Sequence, residues 1–198
     1  WTQYVNALRV QHRYSDEPRQ KLGLLTRVAD TYFNHIGDGE RGFVSLCEAF
    51  REMPSDTATL QRLEMLATEN DLFEAVADLT GDLAASTEDA TLSRSLWIKT
   101  AQIHETQLMD VEAAVSAYRK VLEMDAGDFE VLSALEAVYR GAQRWHELAG
   151  VLRARAEAYT EPDDKIGVLA EMARAHADLL DEPEQAIALQ NEILELDP

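Results

Sequence analysis

The sequence predicts an all-α protein built from antiparallel helix pairs that follow one another as a repeating array. Apolar residues recur at intervals of three and four residues, which is the spacing of one face of an α-helix. Short polar stretches interrupt this pattern at regular distances, and the whole pattern returns with a period of 72. Alternating β-branched runs and Asn-Gly hairpin signals are missing from the sequence, so nothing in it favours a sheet.

The period of 72 is clearest where LEMD at 122–125 is matched by LELD at 194–197. The same shift, applied without gaps, places Ala29, Ala101 and Ala173 in one column. A second column contains the large aromatic residues Trp1, Phe73 and Trp145. A gapless period that keeps residue size and polarity is the signature of a repeat architecture.

Each period contains four predicted helices. Pro18, Pro162 and Pro183 follow acidic residues, which is the chemistry favoured at the first turn of a helix. The predicted helices lie near 2–14, 18–36, 39–52, 56–69, 73–86, 91–108, 111–124, 128–141, 145–159, 163–180 and 183–196.

The composition restricts the partners. The formal net charge is −19, and so acidic a surface repels the phosphates of nucleic acids and anionic lipids. No apolar run reaches the roughly 18 residues that a membrane span requires. The acidity is compatible with basic protein partners, although a simple solvated surface is the more common explanation of such a charge.

The segment VLAEMARAHADLLDEPEQAIALQNEILELDP at 168–198 resembles a tetratricopeptide repeat (TPR), in an array of bacterial type. In the segment 94–126, Trp97, Ala101 and His104 match the family's first helix, and Ala114 and Tyr118 match its second. The resemblance implies a right-handed superhelical solenoid, here of about 11 helices.

On this register, residues 1–198 form a single array. Residues 1–16 are the second helix of a half repeat, and the full repeats are 17–54, 55–88, 89–126, 127–160 and 161–198. Pro54 and Pro198 occupy the family's closing proline position. Because the chain starts at Trp1 and ends on the turn signal Asp197-Pro198, we expect it to be a piece of a larger protein.

The motifs that suggest chemistry are explained better as structure. His104-Glu105 lacks a second histidine one turn later, and His104 shares a packing column with His176, so neither predicts a metal site. The sequence GDGERG at 37–42 lacks the Lys-Ser/Thr ending of a phosphate loop and aligns with turns between helices. Cys47 aligns with polar residues and is predicted to face solvent without a catalytic role. We predict no catalytic residues, no metal and no cofactor.

The resemblance also implies a ligand surface, because the first helix of each TPR pair lines the concave face. The inward positions expected from helical spacing are Thr26, Asp30, Phe33, Asn34, Gln61, Met65, Thr68, Ile98, Gln102, Glu105, Ser133, Arg140 and Arg174. This set has two arginines and no lysine, which argues against the TPR subtype that clamps the acidic tails of chaperones. Phe33, Met65 and Ile98 either anchor apolar side chains of a partner or complete the core.

The predicted function is therefore that of a non-catalytic scaffold that binds a protein or peptide segment on its concave face. One alternative is a structural spacer or oligomerisation module that associates with itself through its terminal helices. A third interpretation, an enzyme on an α-helical toroid, requires a closed ring, which a gapless open repeat argues against. Neither nucleic acid binding nor membrane insertion is expected.

Overall fold

The computed structural model describes residues 1–197, and within them every regular element is helical. This confirms the predicted all-α class, with eleven α-helices and one π-helical turn in the described chain. The elements are α1 Thr2–Arg13, α2 Pro18–Thr31, the π-turn Tyr32–Ile36, α3 Gly39–Glu52, α4 Thr57–Asn70, α5 Phe73–Ser86, α6 Ala90–Thr106, α7 Val111–Met124, α8 Phe129–Gly141, α9 Trp145–Ala158, α10 Pro162–Asp178 and α11 Pro183–Leu196. The predicted helices are all present, and the π-turn continues α2 to the predicted end at Ile36.

The chain forms two compact units that divide within α6. In unit one, Trp1–Leu96, α2 packs against α1 and α3, and α4 packs against α3 and α5. In unit two, which begins at Trp97, the helices from α7 to α11 pack against one another in chain order. Short turns join these neighbours, so consecutive helices run antiparallel. The repeat boundaries stay a prediction, and the closing proline predicted at Pro198 lies outside the described residues.

The spacing found in the sequence reappears in the helix starts. Helices that share a position in the period begin at equivalent residues, namely Pro18, Ala90 and Pro162; Gly39, Val111 and Pro183; Thr57 and Phe129; and Phe73 and Trp145. A first helical position is set by local capping chemistry. The caps at Asp38, Asp56, Asp110 and Asp128 each accept a hydrogen bond from a first-turn backbone N–H.

The turns between helices follow the same period. Gly37, Met109 and Asp181 have positive φ angles of 78°, 53° and 56°. After each of them, a backbone N–H donates to a carbonyl at the end of the preceding helix, from Asp38 to Tyr32, Asp110 to His104 and Glu182 to His176. The turns at Asp71 and Gln143, with φ of 57° and 56°, form a second set. The left-handed residue turns the chain so that the following N–H reaches a carbonyl that the helix end would otherwise leave unpaired.

Gly37 gives a direct test of this turn geometry. No atom lies within 4 Å of a Cβ built at Gly37, so Gly37→Ala adds only the conformational cost of a left-handed alanine. We expect the free energy of unfolding to fall by about 1 kcal/mol. The matched change Gly23→Ala, at an open position inside α2, should raise it by about 0.5–1 kcal/mol. Urea denaturation followed by circular dichroism measures both changes, and equal signs would contradict the turn assignment.

The core is made from the columns that the period defines. In unit one, Val5 and Leu8 of α1 pack with Leu24 and Val28 of α2. In unit two, one continuous cluster runs from Ile98 on α6 to Leu189 on α11. Within residues 1–197, no helix has both the length and the apolar character needed to cross a membrane.

Candidate partner-binding surface

The candidate residues of unit one lie on α2, the π-turn and α4, and Arg62 joins these elements. Its guanidinium donates to Asp30 Oδ1 at 2.5 Å and lies 5.5 Å from the centroid of the Phe33 ring. Asp30 and Phe33 are both half-buried. Arg62, which the sequence analysis did not select, thus connects the candidates Asp30 and Phe33 to α4.

Three candidates on α4 remain open to solvent. Gln61, Met65 and Thr68 are exposed, and Met65 keeps 61% of its surface. Their spacing of four and three residues places them on one face of the helix. An exposed thioether flanked by polar side chains is an adaptable surface for another protein. On the π-turn, Asn34 is also exposed.

The two threonines of the set have local roles. Thr26 Oγ1 donates to the Leu22 carbonyl at 2.8 Å, and Thr68 Oγ1 donates to the Glu64 carbonyl at 2.9 Å. Each hydroxyl is therefore engaged with its own helix. Their remaining contribution to a ligand is as acceptors or as methyl surface.

Unit one contains a cavity of about 280 Å³ that is lined in part by the candidate residue Phe33. Its apolar walls are Phe33, Phe43, Val44, Leu66 and Leu72, and the polar positions are Gly39, Glu40 and Asn70. Apart from Phe33, none of these residues was among the predicted site residues.

Gly42 is the sequence signal that could have indicated this cavity. A Cβ at Gly42 would lie 2.6 Å from Cζ of Phe33, so the Phe33 ring occupies the space that a side chain at position 42 would take. One and two periods later, the position of Gly42 is occupied by Ala114 and Ala186, and the position of Phe33 is occupied by Glu105 and Ala177. Of these three equivalent pairs, only Phe33 and Gly42 combine an aromatic residue with a glycine, and this pair accompanies the cavity.

In unit two, the structure corrects one predicted site residue. Ile98 is only 8% exposed and belongs to the core cluster, so it completes the core and is not offered to a partner. Glu105 is half-buried and accepts a hydrogen bond from the Tyr118 hydroxyl at 3.0 Å. Burial, reinforced by this hydrogen bond, raises the pKa of Tyr118. Glu105 is therefore committed to packing α6 against α7.

The other unit-two candidates, Gln102, Ser133, Arg140 and Arg174, are exposed. Arg140 on α8 donates to Glu136 at 2.8 Å and also pairs with Glu171 on α10. The hydrogen bond to Glu136 and the charge of Glu171 raise the pKa of Arg140. Glu136 is shared with Arg155, so a network of ion pairs holds Arg140 in one orientation at the surface.

The histidines of the shared column have different environments. His176 is 8% exposed and its Nδ1 lies 2.8 Å from Glu182 Oε2, so it connects the end of α10 to the start of α11. His104 is half-buried at the equivalent end of α6. In the described part of the chain, no group of three or more His, Cys, Asp or Glu side chains is arranged to hold a metal ion.

The aromatic column also divides. Trp145 is half-buried against the core of unit two, and Phe73 is half-buried in unit one. Trp1 is 61% exposed and stacks on His35, with the ring centroids 3.8 Å apart and the planes at 5°. Trp145 therefore packs against a core, whereas Trp1 forms a surface stack.

Cys47 differs from its prediction, because it is partly buried instead of solvent-facing. Burial raises the pKa of its thiol from 9.0 to about 11, against the opposing charge of Arg51. Since the thiolate is the reactive form, we expect iodoacetamide to alkylate Cys47 about 100-fold more slowly at pH 8 than an unperturbed thiol. Mass spectrometry over a pH series should show the rate still rising above pH 10. A plateau near pH 9 would contradict the burial, and the rate in urea gives the unfolded control.

The comparisons with known proteins are sparse. No protein-family model matches the chain, and no curated protein matches it. Among solved structures, the chain titled "MamA RS-1 ArsTM double mutant" is 11% identical and has a TM-score of 0.44. The alignment covers 89% of this chain and 94% of that one. A TM-score below 0.5 supports no argument about this protein, so its class is assigned from its own helices. It is an all-α protein of successive antiparallel helix pairs whose starting positions recur with the period of the sequence.

Proposed function

We propose that this chain is a non-catalytic, TPR-like interaction scaffold that binds a segment of a partner protein. The observation that carries the proposal is the exposed row Gln61, Met65 and Thr68 on α4, beside the Arg62 contacts to α2. A large apolar side chain surrounded by ordered polar groups is the composition of a binding hot spot. The helices beneath it are fixed by their own core, so the surface needs little ordering when a partner binds.

Unit two supports the same proposal with a different chemistry. Ser133, Arg140 and Arg174 are exposed polar residues on α8 and α10. The carboxylates of Glu136 and Glu171 offset the positive charge of Arg140. This surface therefore favours hydrogen-bonding partners over strongly acidic ones. This agrees with the expectation that the chain does not clamp acidic tails.

The test starts from capture of a partner with the intact chain, followed by measurement of its Kd. We expect Met65→Glu to weaken binding by at least tenfold, because it places a charge at the centre of the proposed contact. Met109→Glu is the matched control, since Met109 is 76% exposed but lies in a turn outside the surface. If both variants bind like the original chain, the partner does not use the α4 surface.

A second function, self-association as a spacer or oligomeriser, is favoured by exposed apolar side chains on α11 and at the end of α1. On α11, Ile187 and Leu194 are 57% and 62% exposed, and beside α1 the C-cap residue Tyr14 is 81% exposed. Sedimentation velocity over a hundredfold concentration range tests this function. Association that Leu194→Lys abolishes would favour the spacer, whereas a monomer at every concentration would favour the scaffold.

A further inference from the structure

The cavity of unit one has the size and lining of a site for a single side chain. Its volume of about 280 Å³ lies at the lower limit of ligand pockets, which begin near 300 Å³. Phe33, Phe43, Val44, Leu66 and Leu72 supply an apolar lining from the π-turn, α3, α4 and the turn after α4. Such a space accommodates one aromatic or leucine-like side chain and is too small for a typical cofactor.

The aromatic wall of the cavity is fixed before any ligand arrives. The Phe33 ring fills the space above Gly42 on one side, and the Arg62 guanidinium lies 5.5 Å from its centroid. Asp30 in turn holds Arg62. Because the wall is already ordered, binding a side chain there loses little conformational entropy.

The one charged residue among the lining residues of the cavity is a carboxylate, Glu40. Glu40 lines the cavity and also a neighbouring polar depression of about 500 Å³, whose other charged residues are Arg9, Asp38 and Arg41. Arg9 pairs with Glu48 at 3.0 Å, and Arg41 pairs with Asp38 at 3.4 Å. Within residues 1–197, Glu40 has no ion-pair partner.

Two further acidic residues are next in sequence to residues of the cavity lining. Glu69 and Asp71 are exposed, and they are the chain neighbours of the lining residues Asn70 and Leu72. The carboxylate that a ligand meets in the lining itself is Glu40 on α3. Complementary charge selects a basic segment and speeds its association.

We propose that this cavity is an anchor pocket for a basic peptide segment of a partner protein. One large apolar side chain of the segment enters the cavity, and an adjacent lysine or arginine pairs with Glu40. The proposal rests on the proposed scaffold function and adds the chemical class of the partner segment to it. Leu66 and Asn70 line the pocket from a different face of α4 than the face that carries Met65 and Thr68, so the pocket is a second contact point of the proposed scaffold.

The pocket can be tested on the intact chain without any natural partner. The probe is the peptide acetyl-Lys-Gly-Trp-Gly-Lys-amide, titrated into ¹⁵N-labelled protein at low salt. We expect chemical shift changes at the backbone amides of Gly39, Glu40 and Val44. Replacing Trp by Ala in the probe should weaken binding at least tenfold, and replacing both Lys by Glu should weaken it at least threefold.

Two pairs of variants locate the binding. Val44→Phe should fill the cavity mouth and weaken the Trp probe at least fivefold, whereas Val10→Phe adds the same bulk to an exposed valine of α1 and should not. Glu40→Gln should remove the preference for Lys over Glu in the probe. Glu74→Gln is its control, because Glu74 occupies the same first-turn position on α5.

The outcomes separate the pocket from the scaffold function. The anchor pocket is overturned if the Trp probe binds the Val44→Phe variant as tightly as the original chain, or if the Ala probe binds as tightly as the Trp probe. This holds even if a partner is captured through Met65. If the backbone amides at the cavity change their chemical shifts when the protein concentration is raised without probe, the site binds a second copy of the chain. That result also overturns the peptide anchor pocket. Probe binding at the cavity, combined with a captured partner that ignores Met65→Glu, would support the pocket and contradict the α4 surface.

Discussion

Phe50→Ala is expected to lower the free energy of unfolding by about 3–5 kcal/mol. Phe50 lies on α3 and is completely buried, with 0% of its surface exposed. Removing the ring forfeits its transfer free energy and leaves a cavity that the packed helices fill only in part. Urea denaturation monitored by far-ultraviolet circular dichroism measures the loss.

The repeat supplies the matched control for this change. Leu194 occupies the position of Phe50 two periods later, but it is 62% exposed on α11. We therefore expect Leu194→Ala to change the free energy of unfolding by no more than about 0.5 kcal/mol. If Phe50→Ala and Leu194→Ala lower the free energy of unfolding by similar amounts, the difference in burial between Phe50 and Leu194 is wrong.

Gly42→Ala is expected to destabilise the protein by about 0.5–2 kcal/mol, because an overpacking cost of about 1–3 kcal/mol exceeds the gain of about 0.5–1 kcal/mol from the helix propensity of alanine. The added Cβ would lie 2.6 Å from the Phe33 ring, so the ring has to leave its position against α3. Its movement also disturbs the cation–π contact with Arg62. The same denaturation experiment gives the size of the effect.

A double-mutant cycle identifies the contact as the cause. In a Phe33→Ala background, Gly42→Ala should become neutral or stabilising, because the pair then matches Ala177 and Ala186 two periods later. Gly39→Ala is the control on the same helix, since no atom lies within 4 Å of a Cβ at Gly39. If Gly42→Ala costs as much without the Phe33 ring as with it, the glycine is required for another reason.

The candidate site was predictable in part. Helical spacing selected Met65 and Gln61, which are exposed on one face of α4, because the spacing of a face follows from local geometry. Spacing could not show that Ile98 is buried, that Arg62 joins Asp30 and Phe33, or that Arg140 is held by Glu136 and Glu171. Those facts depend on side chains from helices distant in sequence.

The sequence by itself determined the helices, their starts and the period of 72. These features depend on residues within about a turn of each other: apolar spacing, an aspartate cap, a proline at the first position. Only the tertiary structure decided which member of a column is buried, since Phe50 and Leu194 share a register and differ in exposure from 0% to 62%. It also decided that Phe33 meets Gly42 and walls a cavity. Burial and cavities arise from what other helices place opposite a residue, and that information is not local in the chain.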